Sequence, residues 1–338
     1  MSRQRWQGWA CGLLVGVLLS CTAAAEDQVS LALDWIVNGT HAGYYVARDK
    51  GLYRDAGLEV AISRGFGSGD TVKRVANGSA TFGIADSGAI IAARANDDIP
   101  VRIVAMVYDR SSLGLIYLKQ SGIMAPKDLE GRAIARSASG ASVNMFPGFL
   151  KANAIDRAKI REVVVDGALY LPMLMSGQVD AVLEQAINIG RFKEAAAQQG
   201  KEAVAMRYSD FGLESYGNAV IASVASVRDK GDLVRRFTAA SLRGIAYAMD
   251  HPEEAVDLLR KSNPEVDAKG ALDELAALKE TDTTPEMRKD GLGHVDNARL
   301  AATVDTVTKA LSLKRTLSVD QLYAEGFLPS DRVLIGGK

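Results

Sequence analysis

Short runs rich in aliphatic residues alternate along the first third of the chain with stretches whose apolar positions recur every three or four residues. The first period predicts strands over Val29–Trp35, Leu58–Ser63, Phe82–Asp86 and Val101–Met106. The second predicts helices over His41–Lys50, Asp70–Asn77 and Ser87–Ala95, closed by glycines or by the turn Asp97-Asp98-Ile99-Pro100. In the first strand Leu31, Leu33 and Trp35 would share one face, and Asn38 to Thr40 would turn the chain into the helix. This β-α-β-α order argues for a mostly parallel sheet in an α/β protein.

The habit repeats from Leu113 to about Tyr208. Strands are expected at Leu113–Lys119, Arg132–Ala135, Val163–Val165, Val179–Leu183 and Val204–Met206, with helices near Ser142–Asn153, Leu169–Ser176 and Ile189–Gln199. Ala219–Ser223 reads as a return strand. The remainder is nearly all helical, over Leu233–Asp250, Glu253–Leu259, Ala271–Glu280 and Asn297–Leu311, interrupted by Pro252, Pro264 and Pro285. No low-complexity linker separates the halves, which suits two lobes joined by crossing strands.

The N-terminus adds a compartment. Arg3 and Arg5, the apolar run Leu13–Leu19 and the small residues Ala23-Ala-Ala25 have the layout of a secretory signal, with the mature chain expected to start near Glu26. A lipoprotein site at Cys21 is the competing expectation, with Leu19 a poor fit to it. Cleavage after Ala25 removes both cysteines, so no disulfide or Cys-ligated metal is expected. It also removes two of the 40 basic residues and none of the 41 acidic ones, leaving a net charge of −3 and no sign of nucleic-acid binding. Trp6 and Trp9 leave as well, which makes Trp35 the single mature tryptophan. About 313 residues remain, a length suited to two lobes.

Candidate chemistry gathers where strands meet helix starts, the place α/β proteins put small ligands. Trp35 offers a stacking face or a core side chain. Asn38 and His41 can hydrogen-bond a ring nitrogen or cap the helix. Gly65-Phe-Gly-Ser-Gly-Asp70 opens a helix without the Lys-Ser/Thr of a P-loop; its N–H groups can cradle an anion or carbonyl, or Asp70 can simply be the N-cap. Asp86 and Ser87 sit at another such corner. Ser137, Ser139 and Ser142 lie in the matching loop of the second half, where turn chemistry explains them almost as well. Glu184 ends a strand and faces either a cleft or solvent. His251 and His294 read as surface residues, and no metal-spaced His pair or nucleophile elbow appears.

Several segments together resemble one family. Lys50-Gly-Leu-Tyr-Arg-Asp-Ala-Gly-Leu-Glu-Val60, Asn77-Gly-Ser-Ala-Thr-Phe-Gly-Ile-Ala-Asp86, Lys127-Asp-Leu-Glu-Gly-Arg132 and Ser176-Gly-Gln-Val-Asp-Ala-Val182 resemble periplasmic solute-binding proteins of the nitrate/sulfonate/taurine type. Leu33-Asp-Trp35, Asn38 and His41-Ala-Gly43 resemble the branch related to thiamine-pyrimidine-precursor proteins. The resemblance spans roughly Leu31 to Leu259. It implies an α/β, two-lobed, type II periplasmic binding protein fold with two crossing segments, near Val107–Leu113 and Asp210–Ala219. Lobe 1 would comprise residues 26–110 and 216–338, and lobe 2 residues 111–215. The cleft would hold a small nitrogen heterocycle, with an acid near Glu184 accepting its exocyclic amine and with Tyr216 and Asn218 lining the hinge side. The partners implied are the permease and ATPase subunits of an ABC importer, the protein itself being a monomer without metal or cofactor.

The same fold family includes a pyrimidine synthase that consumes its own histidine and a pyridoxal phosphate. Its pattern places Lys and His on the helix where this chain has Ala89-Ile-Ile-Ala-Ala-Arg-Ala95. Where its cysteine run would fall stands Tyr216-Gly-Asn-Ala-Val-Ile221. An enzyme is therefore the weaker expectation. A sulfonate, nitrate, riboflavin-like or aromatic carboxylate ligand is the alternative within the binding class, discriminated by Trp35 and Glu184.

Overall fold

The structure, a computed structural model, describes residues 26–336; the expected export signal lies outside them. Among the described residues, ten strands form two five-stranded sheets. The first contains β1 (Asp27–Ala32), β2 (Leu58–Ser63), β3 (Phe82–Asp86), β4 (Val101–Met106) and, from late in the chain, β10 (Asn218–Ser223), in the order β2-β1-β3-β10-β4. The second contains β5 (Gly114–Leu118), β6 (Ala133–Arg136), β7 (Arg161–Val164), β8 (Ala181–Val182) and β9 (Ala203–Arg207), in the order β7-β6-β8-β5-β9.

Neither sheet is wholly parallel. β10 runs antiparallel to both β3 and β4, and β5 runs antiparallel to both β8 and β9. Each sheet thus takes in one antiparallel strand adjoining a crossing between the sheets. The chain passes over between Met106 and Gly114 and returns between Arg207 and Asn218. β3 and β5 are buried along their whole length, as inner strands covered by helices on both faces are.

The first lobe closes around an aromatic stack: the Phe237 ring lies 3.9 Å from Phe82 and 5.5 Å from Tyr53. The helix Ala42–Asp49 reaches the helix Gly231–Asp250 at backbone contact. A Cβ on Gly43 would lie 2.5 Å from Ile245 Cα, and one on Gly244 would lie 2.3 Å from the Gly43 carbonyl. The tail helices also touch the second lobe. Ala268–Thr281 packs on Gly190–Ala197 through Gly270 and Gly190, and Asn297–Leu311 packs on Ala141–Ala152 through Ala310 and Gly148. Among the described residues, no helix is long and apolar enough to cross a membrane.

Three expectations change. β1 ends at Ala32, so Trp35 stands in a bend and not on a strand face. The glycine loop is the cause: Gly65 N–H donates to the Trp35 carbonyl (2.8 Å) and Gly67 N–H to the Asp34 carbonyl (2.9 Å). These bonds satisfy the backbone where a neighbouring strand would otherwise be needed. The fourth strand of the second half shrinks to Ala181–Val182. Asp70 is not an N-cap; the helix Ser68–Ala76 starts earlier, with Gly67 at φ +122° before it.

Candidate functional site

The bend after β1 and the segment after β8 face each other across the two lobes. Asp34, Trp35, Asn38 and His41 come from the first lobe; Glu184, Gln185, Asn188 and Arg191 come from the second. All but Arg191 are buried. Trp35 Nε1–H donates to Glu184 Oε2 at 3.0 Å, and Asn38 Nδ2–H donates to Asn188 Oδ1 at 3.1 Å. Gln185 Nε2–H reaches Asp34 Oδ2 at 3.3 Å. Three side-chain hydrogen bonds therefore tie one lobe directly to the other.

Two buried carboxylates organise this layer. Glu184 accepts four donors: Trp35 Nε1 and Arg191 Nη2 on Oε2, both at 3.0 Å, and Asn188 Nδ2 (3.0 Å) with the Gln185 backbone N–H (2.9 Å) on Oε1. Asp34 accepts His41 Nε2–H at 3.0 Å on one oxygen, and Asn218 Nδ2–H (2.9 Å) with Gln185 on the other. The Asn38 backbone N–H donates to His41 Nδ1 at 3.2 Å, which places the ring proton on Nε2, toward Asp34. A neutral His41 leaves Asp34, Glu184 and Arg191 as the charges, so the layer is net negative.

The Trp35 ring lies in a slot built from glycines of the second lobe. A Cβ on Gly167 would fall 2.4 Å from Trp35 Cζ2, and one on Gly140 3.7 Å from Cη2. The Tyr170 ring stands 6.0 Å away, tilted by 45°. Trp35 thus comes from the first lobe but packs with the core of the second. Beside it, lined by Asp34, Ser68, Gly140, Ser142 and Glu184, is a space of about 10 Å³, near the volume of a single water-sized sphere.

Of the residues singled out from the sequence, the structure brings Trp35, Asn38, His41, Glu184 and Asn218 into this one layer. Asn38 also caps the turn Gly39–His41, its Oδ1 accepting the Thr40 N–H at 3.0 Å, while its Nδ2–H is held by Asn188. The Asn218 Oδ1 acceptor is buried and has no protein partner. Ser142 borders the small space, although its Oγ accepts the Gly114 N–H at 3.2 Å. Asp86 caps the helix Ser87–Asp97, accepting Gly88 N–H at 2.8 Å, and burial pushes its carboxyl up to about 7. Ser139 ties the two loops together, donating to the Phe66 carbonyl at 3.0 Å and accepting the Gly69 N–H on its own.

Three others lie apart from the layer. Ser87 Oγ donates to the Tyr216 carbonyl at 2.6 Å, a bond within the first lobe. Tyr216 lies under the Arg299 guanidinium, its OH accepting the Asp296 N–H at 3.0 Å. Asp70 sits in the first turn of its helix, outside the layer. In the glycine loop the N–H groups of Gly65, Gly67, Gly69 and Asp70 all bond to protein carbonyls.

Sequence reasoning placed Asp34 at the same polar corner as Trp35, Asn38 and His41 without assigning it a partner, and missed Gln185, Asn188 and Arg191 altogether. A signal existed: Glu184, Asn188 and Arg191 recur at helical spacing just past a strand end. Among the described residues, no three His, Cys, Asp or Glu side chains converge to hold a metal ion.

Comparison with known proteins agrees with this architecture. The family model described as "NMT1/THI5 like" matches residues 38–255. A riboflavin-binding protein, RibY, of Chloroflexus aurantiacus is 28% identical over 90% of this chain and 86% of its own length. A formylaminopyrimidine-binding protein of Halalkalibacterium halodurans is 25% identical over 75% of this chain and 78% of its own. A relative from Legionella pneumophila, 26% identical over 72% and 76%, is named as a 4-amino-5-hydroxymethyl-2-methylpyrimidine phosphate synthase. Among solved structures, the alkanesulfonate-binding protein SsuA of Xanthomonas axonopodis superposes with a TM-score of 0.68 at 15% identity, over 89% of this chain and 99% of that one. The fold is that of the two-lobed periplasmic binding proteins.

Proposed function

We propose that this chain, which belongs to the NMT1/THI5-like family, is the solute-binding component of an ATP-driven importer and takes a flat nitrogen heterocycle of the aminopyrimidine type between its lobes. In this reading lobe 1 comprises residues 26–110 and 216–338, and lobe 2 residues 111–215. The chain is exported to the periplasm and delivers its ligand to a membrane permease coupled to an ATPase.

The observation that carries the reading is the buried Glu184 carboxylate, with the Trp35 indole as its partner from the other lobe. A carboxylate among N–H donors suits a ligand whose edge carries ring or exocyclic N–H groups. The net negative layer disfavours a sulfonate or nitrate, which Asp34 and Glu184 would repel. Trp35 supplies a flat face, and Asn218 Oδ1 a free acceptor. The lobes part, a ligand N–H replaces the indole on Glu184, and closure around the ligand presents the bound form to the permease. The relative with the broadest alignment quoted above is named for riboflavin and another for formylaminopyrimidine, so both flavins and pyrimidines belong to the ligand class to be tried.

Catalysis of the synthase kind is not proposed. The helix Ser87–Asp97 carries neither Lys nor His, and no cysteine lies among the described residues. The test is titration of the exported protein with 4-amino-5-hydroxymethyl-2-methylpyrimidine, riboflavin and taurine, following Trp35 emission and heat of binding. Binding of a heterocycle, weakened in Glu184→Gln, supports the reading. Tight binding of taurine with no binding of any heterocycle overturns it.

A further inference from the structure

A larger cavity, of about 490 Å³, is lined by Ile36 and Arg191, the chain neighbour of Trp35 and the ion-pair partner of Glu184. Its walls come from both lobes: Ile36, Tyr45 and Arg64 from the first, Leu171 and Arg191 from the second, and Val266 from the tail. The volume falls within the range of small-molecule sites. Arg191 forms a shared wall, since it lines this cavity while its Nη2 contacts Glu184 at 3.0 Å. Asn38, bonded across the lobes to Asn188, lines it as well.

We infer that this cavity is a second compartment of the same site, which receives a hydroxylated, uncharged side chain carried by the heterocycle. The inference rests on the function proposed above and narrows its ligand class. The walls alternate between aliphatic surface and polar groups. Ile36, Val37, Ile62, Leu171 and Val266 supply the first; Asn263, Glu265, Asp267 and Glu274 are among the second. A plain alkyl chain would cover the exposed acids Glu265 and Asp267 without hydrogen-bonding them, whereas Asn263 and Glu274 already have protein partners. An anionic chain would meet three carboxyls, while both guanidinium groups already face acids: Arg64 faces Asp166 at 3.7 Å and Arg191 faces Glu184. Hydroxyls donate to carboxylates and accept from guanidinium and carboxamide N–H groups, so a polyol chain can satisfy this lining.

The test compares riboflavin, which carries a ribityl chain, with lumiflavin, the same ring bearing a methyl group in its place. The exported protein should bind riboflavin at least about tenfold more tightly than lumiflavin. Ala168→Trp and Val266→Trp place bulk in the cavity from positions that are not buried. Each should weaken riboflavin by about tenfold or more and leave lumiflavin and the aminopyrimidine unchanged. Equal binding of the two flavins, or equal effects of both variants on them, overturns the compartment. So does binding of the aminopyrimidine with no binding of either flavin; in both cases the proposed function stands. Failure of every heterocycle to bind overturns both.

Discussion

Truncating Trp35 should separate the packing of its ring from the hydrogen bond of its indole N–H. The side chain is 7% exposed and crosses from one lobe into the core of the other. A buried tryptophan covers roughly 150–250 Å², which at about 25 cal/mol per Å² corresponds to about 4–6 kcal/mol of transfer free energy. Open lobes already expose part of that surface, so Trp35→Ala should cost about 3–5 kcal/mol, the range for aromatic truncation in cores. Trp35→Phe keeps a ring in the glycine slot and loses the bond to Glu184. A hydrogen bond to a charged acceptor contributes about 1.5–3 kcal/mol, and Glu184 retains three other donors, which favours the lower end. Denaturant unfolding followed by circular dichroism should therefore rank wild type, Phe and Ala in that order. Glu184→Gln closes a double-mutant cycle with Trp35→Phe, and a coupling of about 1 kcal/mol or more is expected between touching partners. Additive effects, or a cost for Trp35→Ala within about 0.5 kcal/mol, the scale of an ordinary surface substitution, would refute the claim that the indole joins the lobes.

Two further outcomes follow from the same geometry. Burial pushes the carboxyls of Asp86 and Glu274 up to about 7, Glu274 despite accepting the Gly39 N–H at 2.7 Å. A raised acid contributes stability that is complete below its unfolded value, near pH 4, and is lost as pH rises to about 7. Asp86→Asn and Glu274→Gln keep an acceptor oxygen, so each should gain on wild type as pH climbs through that window, by on the order of 3 kcal/mol at most; melting curves at pH 4 and pH 7 showing a constant gap would contradict this. Gly167→Ala places a Cβ 2.4 Å from Trp35 Cζ2. It should lower stability by about 1–3 kcal/mol and shift Trp35 emission to the red, with much of the cost absent in a Trp35→Leu background, whose smaller side chain frees the slot.

Local rules were enough for most of the architecture. Strand and helix periods depend on neighbours a few residues apart, and the helix Asn297–Leu311 and the strands β2, β3 and β4 stand where the apolar pattern puts them. The family resemblance likewise rests on short segments, each legible alone. What the pattern missed was set by distant partners. β1 stops at Ala32 because a glycine loop more than thirty residues later takes over its hydrogen bonds. β5 and β10 enter their sheets antiparallel because the chain passes over and returns, a fact of topology and not of period.

The site divides along the same line. Trp35, Asn38 and His41 were visible as chemistry at a strand-to-helix corner, and Glu184 as an acid at a strand end. That Trp35 meets Glu184 across 149 positions, or that Asp34 collects His41, Gln185 and Asn218, was not. Side chains so far apart in sequence leave no periodic trace of their meeting. Ser87 and Tyr216 show the converse: their residue types suit a cleft, but the fold turns Ser87 Oγ onto the Tyr216 carbonyl and the Tyr216 hydroxyl onto the Asp296 N–H. The sequence by itself determined which segments form strands and helices and which corners carry polar groups, because those depend on local spacing. Only the tertiary structure decided which corners face each other, because burying a carboxylate requires donors from both lobes at once, and closure of the fold is what brings them together.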